Sequence, residues 1–336
     1  MRYFLYPLRF SAPVHFGTAE CGGGLEHTRF TLPSDTFFSA LLSELYHAKE
    51  NAYADTLLQK VEAGHLRCSD LLPWREAATG EWCFYLPRPI LPMMQAADTD
   101  SVSLSYRTAC EKTAAWKQQK RLAYIRASRM TEYLANVRAG RPFLSEDSFG
   151  QEVLRQRVNC REVEALPYFV ASFTFAESAG LYLLLAAEQA EDADFFADIL
   201  TFVGHSGLGG KRSSGYGKFQ LADDCLELDG TGIYGADDAA LYALLTQEQA
   251  SWQMALSSVL PAEEDLLAVC RGNYHLRRVC GFVTDAAVPG KKDSICLLES
   301  GSCFQQRILG QMTDLGTYDG HPILRYGYGL YAGISG

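Results

Sequence analysis

The densest group of residues whose types and spacing could do chemistry lies at positions 207–217, which read GLGGKRSSGYG. Glycine allows positive φ and a close approach of the backbone, so that successive N–H groups can converge on phosphate oxygens. Cations neutralise phosphates, hydroxyls donate hydrogen bonds and an aromatic ring can stack on a base. We therefore predict nucleic-acid binding by this glycine-rich loop through Gly207, Gly209, Gly210, Lys211, Arg212, Ser213, Ser214, Gly215, Tyr216 and Gly217.

Two nucleotide-binding motifs with similar composition do not fit the spacing. A P-loop needs glycine five residues before the Gly-Lys pair and Ser or Thr after the lysine, but His205 and Arg212 occupy those positions. A dinucleotide fingerprint needs glycine where Arg212 stands, and it opens a helix, whereas this loop precedes an apparent strand. A merely flexible hairpin would explain the glycines but not the basic and hydroxyl residues among them.

Metal and disulfide chemistry are not indicated by the histidine and cysteine patterns. The seven histidines form no HxxxH or HExxH motif, so we predict no metal site and no cofactor. The ten cysteines are scattered without any CxxC pair. This pattern favours reduced, mostly buried thiols in a reducing compartment.

The net charge of −10 is unevenly distributed along the chain. Residues 219–270 contain ten acids and no Lys or Arg, while residues 106–141 carry nine basic residues against two acids. One part could therefore face phosphates while another faces a protein or solvent. Apolar runs such as 181–187 are far shorter than the ~20 residues of a membrane span, and the N-terminus lacks signal-peptide features. We expect a cytoplasmic protein with no membrane contact.

The elements that must position the loop follow a β-α-β-β-α-β order. We predict a strand at 2–10, a helix from Ser34-Asp35 onward, a helix at 192–203 and a closing strand at 218–222. Two β-rich runs, 155–170 and 171–188, joined by residues 177–180, predict a hairpin. This order indicates an α+β protein with a ferredoxin-like (RRM-like) first domain at 1–222, carrying a large, mainly helical insertion at about 50–150. A second, less regular series of strands and helices predicts another ferredoxin-like domain at 223–336.

The glycine-rich loop and several other segments resemble a known family. GLGGKRSSGYGKF is similar to the glycine-rich loop of the RAMP superfamily of CRISPR proteins, which have ferredoxin-like folds. Within that superfamily the chain most resembles the fourth subunit of the type III-A Csm effector complex. Supporting segments are HFG at 15–17, SDTFFSALLSEL at 34–45, VNCRE at 158–162, YHLRR at 274–278, GSCF at 301–304 and RYGYG at 325–329.

The resemblance implies a non-catalytic subunit that caps one end of the complex in antiviral defence. Such a subunit binds the five-prime tag of the guide crRNA and docks on the large Palm-domain subunit and on the neighbouring backbone RAMP subunit. By the same resemblance, 155–167 corresponds to a protruding β-hairpin beside the guide, where tag meets spacer. The further RNA-binding residues on this basis are His15, Arg155, Arg157, Asn159 and Arg161.

Two other functions remain open. His15 could act as general acid or base in a metal-independent endoribonuclease that processes guide RNA, or the chain could be a protein adaptor without RNA contact. Asp35 could similarly be an RNA-cleaving aspartate, but its position favours a helix cap. The pairs Arg277-Arg278 and Lys291-Lys292 could extend the basic surface into the second domain.

Overall fold

The computed structural model describes residues 1–17, 24–92, 106–145, 147–159, 166–280, 293–318 and 321–335. Helices and antiparallel sheets alternate along these segments, which confirms the α+β class. The elements in chain order are β1 (Arg2–Phe10), α1 (Ser34–His47), α2 (Asn51–Glu62), β2 (Leu66–Cys68), β3 (Leu72–Glu76), β4 (Trp82–Pro87), α3 (Tyr106–Arg121), β5 (Tyr124–Arg126), α4 (Met130–Arg138), β6 (Gly150–Asn159), β7 (Leu166–Phe175), β8 (Ala179–Ala187), α5 (Glu191–Ser206), β9 (Phe219–Leu221), β10 (Leu226–Glu227), α6 (Ala236–Thr246), β11 (Trp252–Ala255), α7 (Leu266–Cys270), β12 (Leu276–Val279), β13 (Ile295–Leu298), β14 (Cys303–Phe304), β15 (Thr313–Tyr318), β16 (His321–Arg325) and β17 (Tyr331–Ile334).

The central sheet is organised around β1 and β8. β1 pairs with β8 on one side and with β9 and β10 on the other, in each case antiparallel. β8 also pairs with β2 and β3, and the sheet continues through β4 to β5. The predicted first strand, first helix, α5 and closing strand are thus confirmed. That both halves are ferredoxin-like stays a prediction.

Both faces of this sheet are buried, which explains the apolar run of β8. Side chains alternate along a strand, so Tyr6 and Leu8 face one side while Tyr3 and Leu5 face the other. The first pair packs in a cluster with α1 and α5, and the second pair packs with α6, β11 and β17. β8 is consequently apolar at nearly every position, as is usual for strands covered on both faces.

One prediction about strand pairing is wrong. The run at 155–170 does not pair with 171–188, because β7 pairs with β6 and the sheet partners of β8 are β1, β2 and β3. The segment at about 50–150 holds more helix than strand, in α2, α3 and α4, but it also contributes β2–β5 to the central sheet. Short strands of three to six residues gave no clear alternation in the sequence.

Asp35 ties α1 to the C-terminal part of the chain and is not a helix cap. Pro33 occupies the N-cap position of α1, without a side-chain cap. Asp35 is fully buried, and its carboxylate pairs with Arg277 at 2.5 Å and Arg325 at 3.1 Å. The predicted cap is therefore wrong. The prediction that Arg277 extends a basic surface is wrong for the same reason, while Arg278 beside it is exposed.

Asp70 takes the place of the missing cap. Its Oδ1 accepts the N–H of Ser34 at 2.7 Å, at the start of α1, and the N–H of Ser258 at 3.0 Å. Burial raises the pKa of the Asp70 carboxyl, although the hydrogen bonds from Ser34 and Ser300 and the nearby Arg277 oppose the shift. The two buried carboxylates together join the first helix to residues more than 180 positions away.

The cysteine prediction is correct only in part. Cys68, Cys83 and Cys303 are buried free thiols, but Cys110, Cys270 and Cys296 are exposed. Cys280 is engaged in a disulfide. Along the described segments, no helix is long and apolar enough to cross a membrane.

Candidate nucleic-acid interface

The base of the glycine-rich loop is closed by two glycines that no other residue could replace without strain. Gly207 ends α5 with φ 84°, and Gly217 returns towards β9 with φ 77°. The N–H of the buried Leu208 donates to the Gly217 carbonyl at 3.0 Å. A Cβ on Gly217 would lie 1.9 Å from the Leu208 oxygen, so the two strands of the loop approach too closely for a side chain.

The tip of the loop is a single turn of 3-10 helix, Arg212–Ser214, between two left-handed residues. Lys211 has φ 61° and Gly215 has φ 83°. The N–H groups of Ser214 and Gly215 donate to the carbonyls of Lys211 and Arg212, each at 2.8 Å. The turn therefore holds Arg212, Ser213 and Ser214 in exposed positions, where hydroxyl groups can reach a solvent-side ligand.

The segment around His15 contacts the loop through backbone hydrogen bonds. The N–H of Gly210 donates to the His15 carbonyl at 2.8 Å, and that of Gly217 donates to Pro13 at 2.9 Å. A Cβ on Gly209 would lie 2.7 Å from the His15 oxygen, so this contact also depends on glycine. His15 itself is 5% exposed, and its Nδ1 hydrogen bonds to the Ala171 carbonyl of β7 at 2.7 Å.

The hairpin formed by β6 and β7 lies beside the loop. An Nη2 N–H of Arg157 donates to the Tyr216 hydroxyl at 3.2 Å, and the same guanidinium lies 5.7 Å from the Tyr216 ring centre. Lys211 Nζ lies 5.4 Å from the ring of Tyr168 on β7. These cation–π contacts connect the two segments that were predicted separately. The hairpin predicted at 155–167 is confirmed along its described strands.

The two faces of the hairpin differ in chemistry. Arg155, Arg157 and Asn159 alternate along β6 and share one face, and Arg157 is directly opposite Tyr168 in the register. The other face carries exposed apolar side chains, namely Leu154, Val158 and Phe169. The basic face therefore turns towards the glycine-rich loop. Arg161 lies outside the described residues.

Arg212 is held differently from the other predicted cations. Its Nη1 forms an ion pair with Glu44 of α1 at 2.6 Å, and the hydroxyl of Ser206 also donates to that carboxylate. The Arg212 side chain is 40% exposed. Part of its positive charge is therefore compensated by Glu44, and Lys211 and Arg157 are the better placed cations for phosphate groups.

The structure thus brings together the predicted loop, His15 and the arginines of β6. Sequence reasoning missed Tyr168 and Glu44. Tyr168 lies two residues before Val170 in an alternating run, which predicts its face but not its partner across the hairpin. For Glu44 no signal existed, since its partner is 168 positions away. The described residues hold no group of three or more His, Cys, Asp or Glu that could bind a metal.

The family model of the CRISPR Csm4 C-terminal domain matches residues 248–334. Among curated proteins, "CRISPR system Cms protein Csm4" of Streptococcus thermophilus is 27% identical over 336 residues, covering 98% of each chain. The protein of the same name from Mycobacterium tuberculosis is 26% identical over 330 residues, covering 96% of this chain and 94% of the relative.

Two solved structures share the fold. One is described as the Csm3-Csm4 subcomplex in the type III-A CRISPR-Cas interference complex, with TM-score 0.63, 14% identity and coverage of 100% of both chains. The other is the Csm1-Csm4 cassette in complex with pppApA, with TM-score 0.61, 16% identity and coverage of 100% of this chain and 98% of the other. The similarity in both cases extends over the whole chain.

Proposed function

We propose that the chain, which is similar to curated Csm4 proteins of CRISPR systems, binds the five-prime tag of the guide crRNA as a non-catalytic subunit of a type III-A Csm effector complex. The binding surface is the glycine-rich loop together with the basic face of the β6–β7 hairpin. In this role the protein contributes to antiviral defence by holding one end of the guide in a fixed position.

The observation that carries the proposal is the convergence of three segments on one surface. The loop tip, the His15 segment and β6 are far apart in sequence, yet hydrogen bonds and cation–π contacts join them. Lys211 and Arg157 supply charge, Ser213 and Ser214 supply hydroxyl donors, and Tyr168 and Tyr216 supply rings. Single-stranded RNA is bound by this combination of cations for the backbone and aromatic rings for the bases.

Guide retention by the assembled complex tests the proposal. We expect Lys211→Ala and Arg157→Ala each to weaken retention of labelled crRNA, and each phosphate that is no longer neutralised should reduce the salt slope of log K by about 0.7. Arg2→Ala is a matched control, since Arg2 lies at the opposite end of β1, roughly 26 Å along the strand. Unchanged retention in both loop and hairpin variants would favour the adaptor function instead.

We also propose that the chain docks on the large Palm-domain subunit and on the neighbouring backbone subunit. The solved relatives that share its fold are in complexes with Csm1 and with Csm3, respectively. Binding of each purified subunit in the absence of guide RNA would test this part separately. A chain that binds neither subunit would contradict a role in the complex.

The alternative function is guide processing by His15. Two observations favour positioning over catalysis: the imidazole is 5% exposed, and its Nδ1 is engaged with a backbone carbonyl. A general base must reach the hydroxyl proton that it removes. Incubation of the purified protein with labelled repeat RNA in EDTA is expected to give no defined product. Defined cleavage that is abolished in His15→Ala would overturn the non-catalytic proposal.

A further inference from the structure

An acid-rimmed groove lies away from the glycine-rich loop. It has a volume of about 650 Å³ and lies between the C-terminal end of α2 and two later segments of the chain. Glu62 lines one wall, and Glu263 and Glu264 line the other, while Leu309 and Tyr328 contribute apolar surface. All three glutamates are exposed.

Asp265 holds the second wall in place. Its Oδ2 accepts the N–H of Ala262 at 3.1 Å and the N–H of Gly310 at 3.0 Å, so the turn that precedes α7 is fixed against the segment containing Leu309. The result is an ordered surface, since one buried carboxylate binds both segments.

Large apolar side chains are exposed next to these acids. Leu266 is 52% exposed, Leu267 67% and Leu309 58%. α7 has other residues for the core, because Ala268 and Val269 are buried in the C-terminal cluster. Leu309 lines the groove, and Leu266 and Leu267 follow Glu264 and Asp265 directly in the chain. Single exposed leucines are ordinary on a protein surface, but exposed apolar groups bordered by polar residues are typical of an interaction site.

The charge of the groove excludes RNA as a favourable occupant. Arg67 also lines the groove, but it is 7% exposed, lies 4.1 Å from the Tyr328 ring centre and donates Nη1 to the carbonyls of Val61 and Leu66. Its charge is thus directed at the end of α2. Of the other basic residues near the groove in the chain, Lys60 pairs with Asp192, His65 lies near Glu188, Arg307 pairs with Glu248, and Arg271 lies beyond α7. Three exposed carboxylates would repel phosphates and attract a cationic segment.

The position of the groove allows docking and RNA binding together. Glu44, near the C-terminal end of α1, contacts the loop through Arg212. α2 follows after a short turn and packs on α1, so Glu62 lies towards the other end of that helix pair. The 14 residues of α1 correspond to roughly 20 Å.

We propose that this groove docks a Lys- or Arg-bearing segment of a neighbouring protein subunit of the complex. The aliphatic stems of the basic side chains would pack on Leu266, Leu267 and Leu309, and their charged ends would pair with the three glutamates. This inference rests on the proposed function, and it assigns a surface to the docking that the function requires.

Charge reversal tests the inference. In Glu263→Lys/Glu264→Lys, affinity for the purified Csm1- or Csm3-type subunit, measured without RNA, is expected to fall at least tenfold, and Leu267→Ser/Leu309→Ser to weaken the same complex. The wild-type affinity should decrease between 50 and 300 mM salt. Asp194→Lys/Asp198→Lys on α5 is the matched control, because it makes the same charge change at exposed positions. Thermal unfolding verifies that each variant is folded.

Affinities for both subunits within twofold of wild type in the groove variants would overturn the inference. So would self-association of the isolated chain that charge reversal abolishes, since the occupant would then be a second copy. Neither result bears on the guide-binding surface, which Lys211→Ala tests. Conversely, a Lys211→Ala variant that releases the guide, together with groove variants that dock normally, would leave the proposed function intact and contradict only the groove assignment.

Discussion

Two adjacent arginines on β12 have opposite environments. Arg277 is 6% exposed and pairs with the buried Asp35, whereas Arg278 is exposed and donates to the Ser294 hydroxyl at 3.3 Å. Removal of Arg277 leaves the Asp35 carboxylate paired with Arg325 alone, so the cost is that of one hydrogen bond to a charged group, about 1.5–3 kcal/mol. We expect Arg277→Ala to lower the free energy of unfolding in urea by this amount and Arg278→Ala to change it by less than about 0.5 kcal/mol. Equal effects of the two substitutions on the free energy of unfolding would contradict the ion pair that joins α1 to the C-terminal part.

The thiol of Cys68 predicts a pH dependence of stability. Burial raises its pKa to about 12 from the usual 9.0, opposed by a hydrogen bond from Tyr326. Because the pKa is higher in the folded than in the unfolded chain, the thiol contributes to the free energy of unfolding. This contribution is fully present below pH 9 and disappears as the pH rises towards 12. Unfolding experiments at pH 8 and 10.5 should show a decrease in stability that is smaller in Cys68→Ala by about 2 kcal/mol. Cys296→Ala, at an exposed thiol, should match wild type.

Residue chemistry was predictable where it is local. The positive φ values at Gly207, Gly209, Gly215 and Gly217 follow from the composition of the loop. Partners could not be predicted, because Asp35 and Arg277 are separated by 242 positions and only the folded chain brings them together. A buried carboxylate and an exposed catalytic or capping one look identical in a sequence.

At the level of elements, the glycine-rich loop allows a paired comparison of two glycines. Gly215 and Gly217 both have positive φ, but a Cβ on Gly215 would meet nothing within 4 Å, while one on Gly217 would clash with Leu208. We expect Gly215→Ala to cost about 1 kcal/mol from backbone strain alone. Gly217→Ala should cost more, about 3 kcal/mol, and should also weaken guide retention. Denaturation curves and crRNA retention measure the two effects, and equal destabilisation would argue against the close approach.

The β6–β7 hairpin allows a comparison of its two faces. Tyr168 lies under Lys211 on the face of the loop, and its neighbour Phe169 is 49% exposed on the opposite face. Removal of a ring that stacks on a base costs about 1–3 kcal/mol. Tyr168→Ala should therefore weaken guide retention by roughly tenfold or more, and Phe169→Ala should leave it unchanged. If Phe169→Ala has the larger effect, the guide contacts the apolar face.

Element order was easier to predict than strand pairing. The first strand, the first helix, α5 and the closing strand follow from alternation and helical spacing. The error at 155–188 arose because two consecutive apolar runs with a turn between them satisfy the hairpin pattern, although the strand partner of β7 is β6 and not β8. Alternation fixes which side chains share a face, but not which strand lies next to which.

For the whole molecule, the charge asymmetry in the sequence corresponds to two surfaces. The acidic segment at 219–270 contributes one wall of the groove, and the loop just before it carries the cations that contact the hairpin. A net charge of −10 therefore does not oppose local RNA binding, since exposed charges more than about 10 Å apart are largely screened at physiological salt.

A shared apolar cluster bears on whether the two predicted domains are independent. A boundary near Ala222 stays a prediction, but residues on both sides of it share one apolar cluster, in which Tyr3 and Leu5 of β1 pack with Leu241, Leu245 and Ile334. A fragment of residues 1–222 would expose this face of the sheet, and a large exposed apolar surface favours aggregation. We expect that fragment to bind a hydrophobic dye and to lack a cooperative unfolding transition. The full chain should unfold in a single calorimetric transition with equal calorimetric and van't Hoff enthalpies, whereas a soluble, cooperatively folded fragment would show that the shared cluster is dispensable.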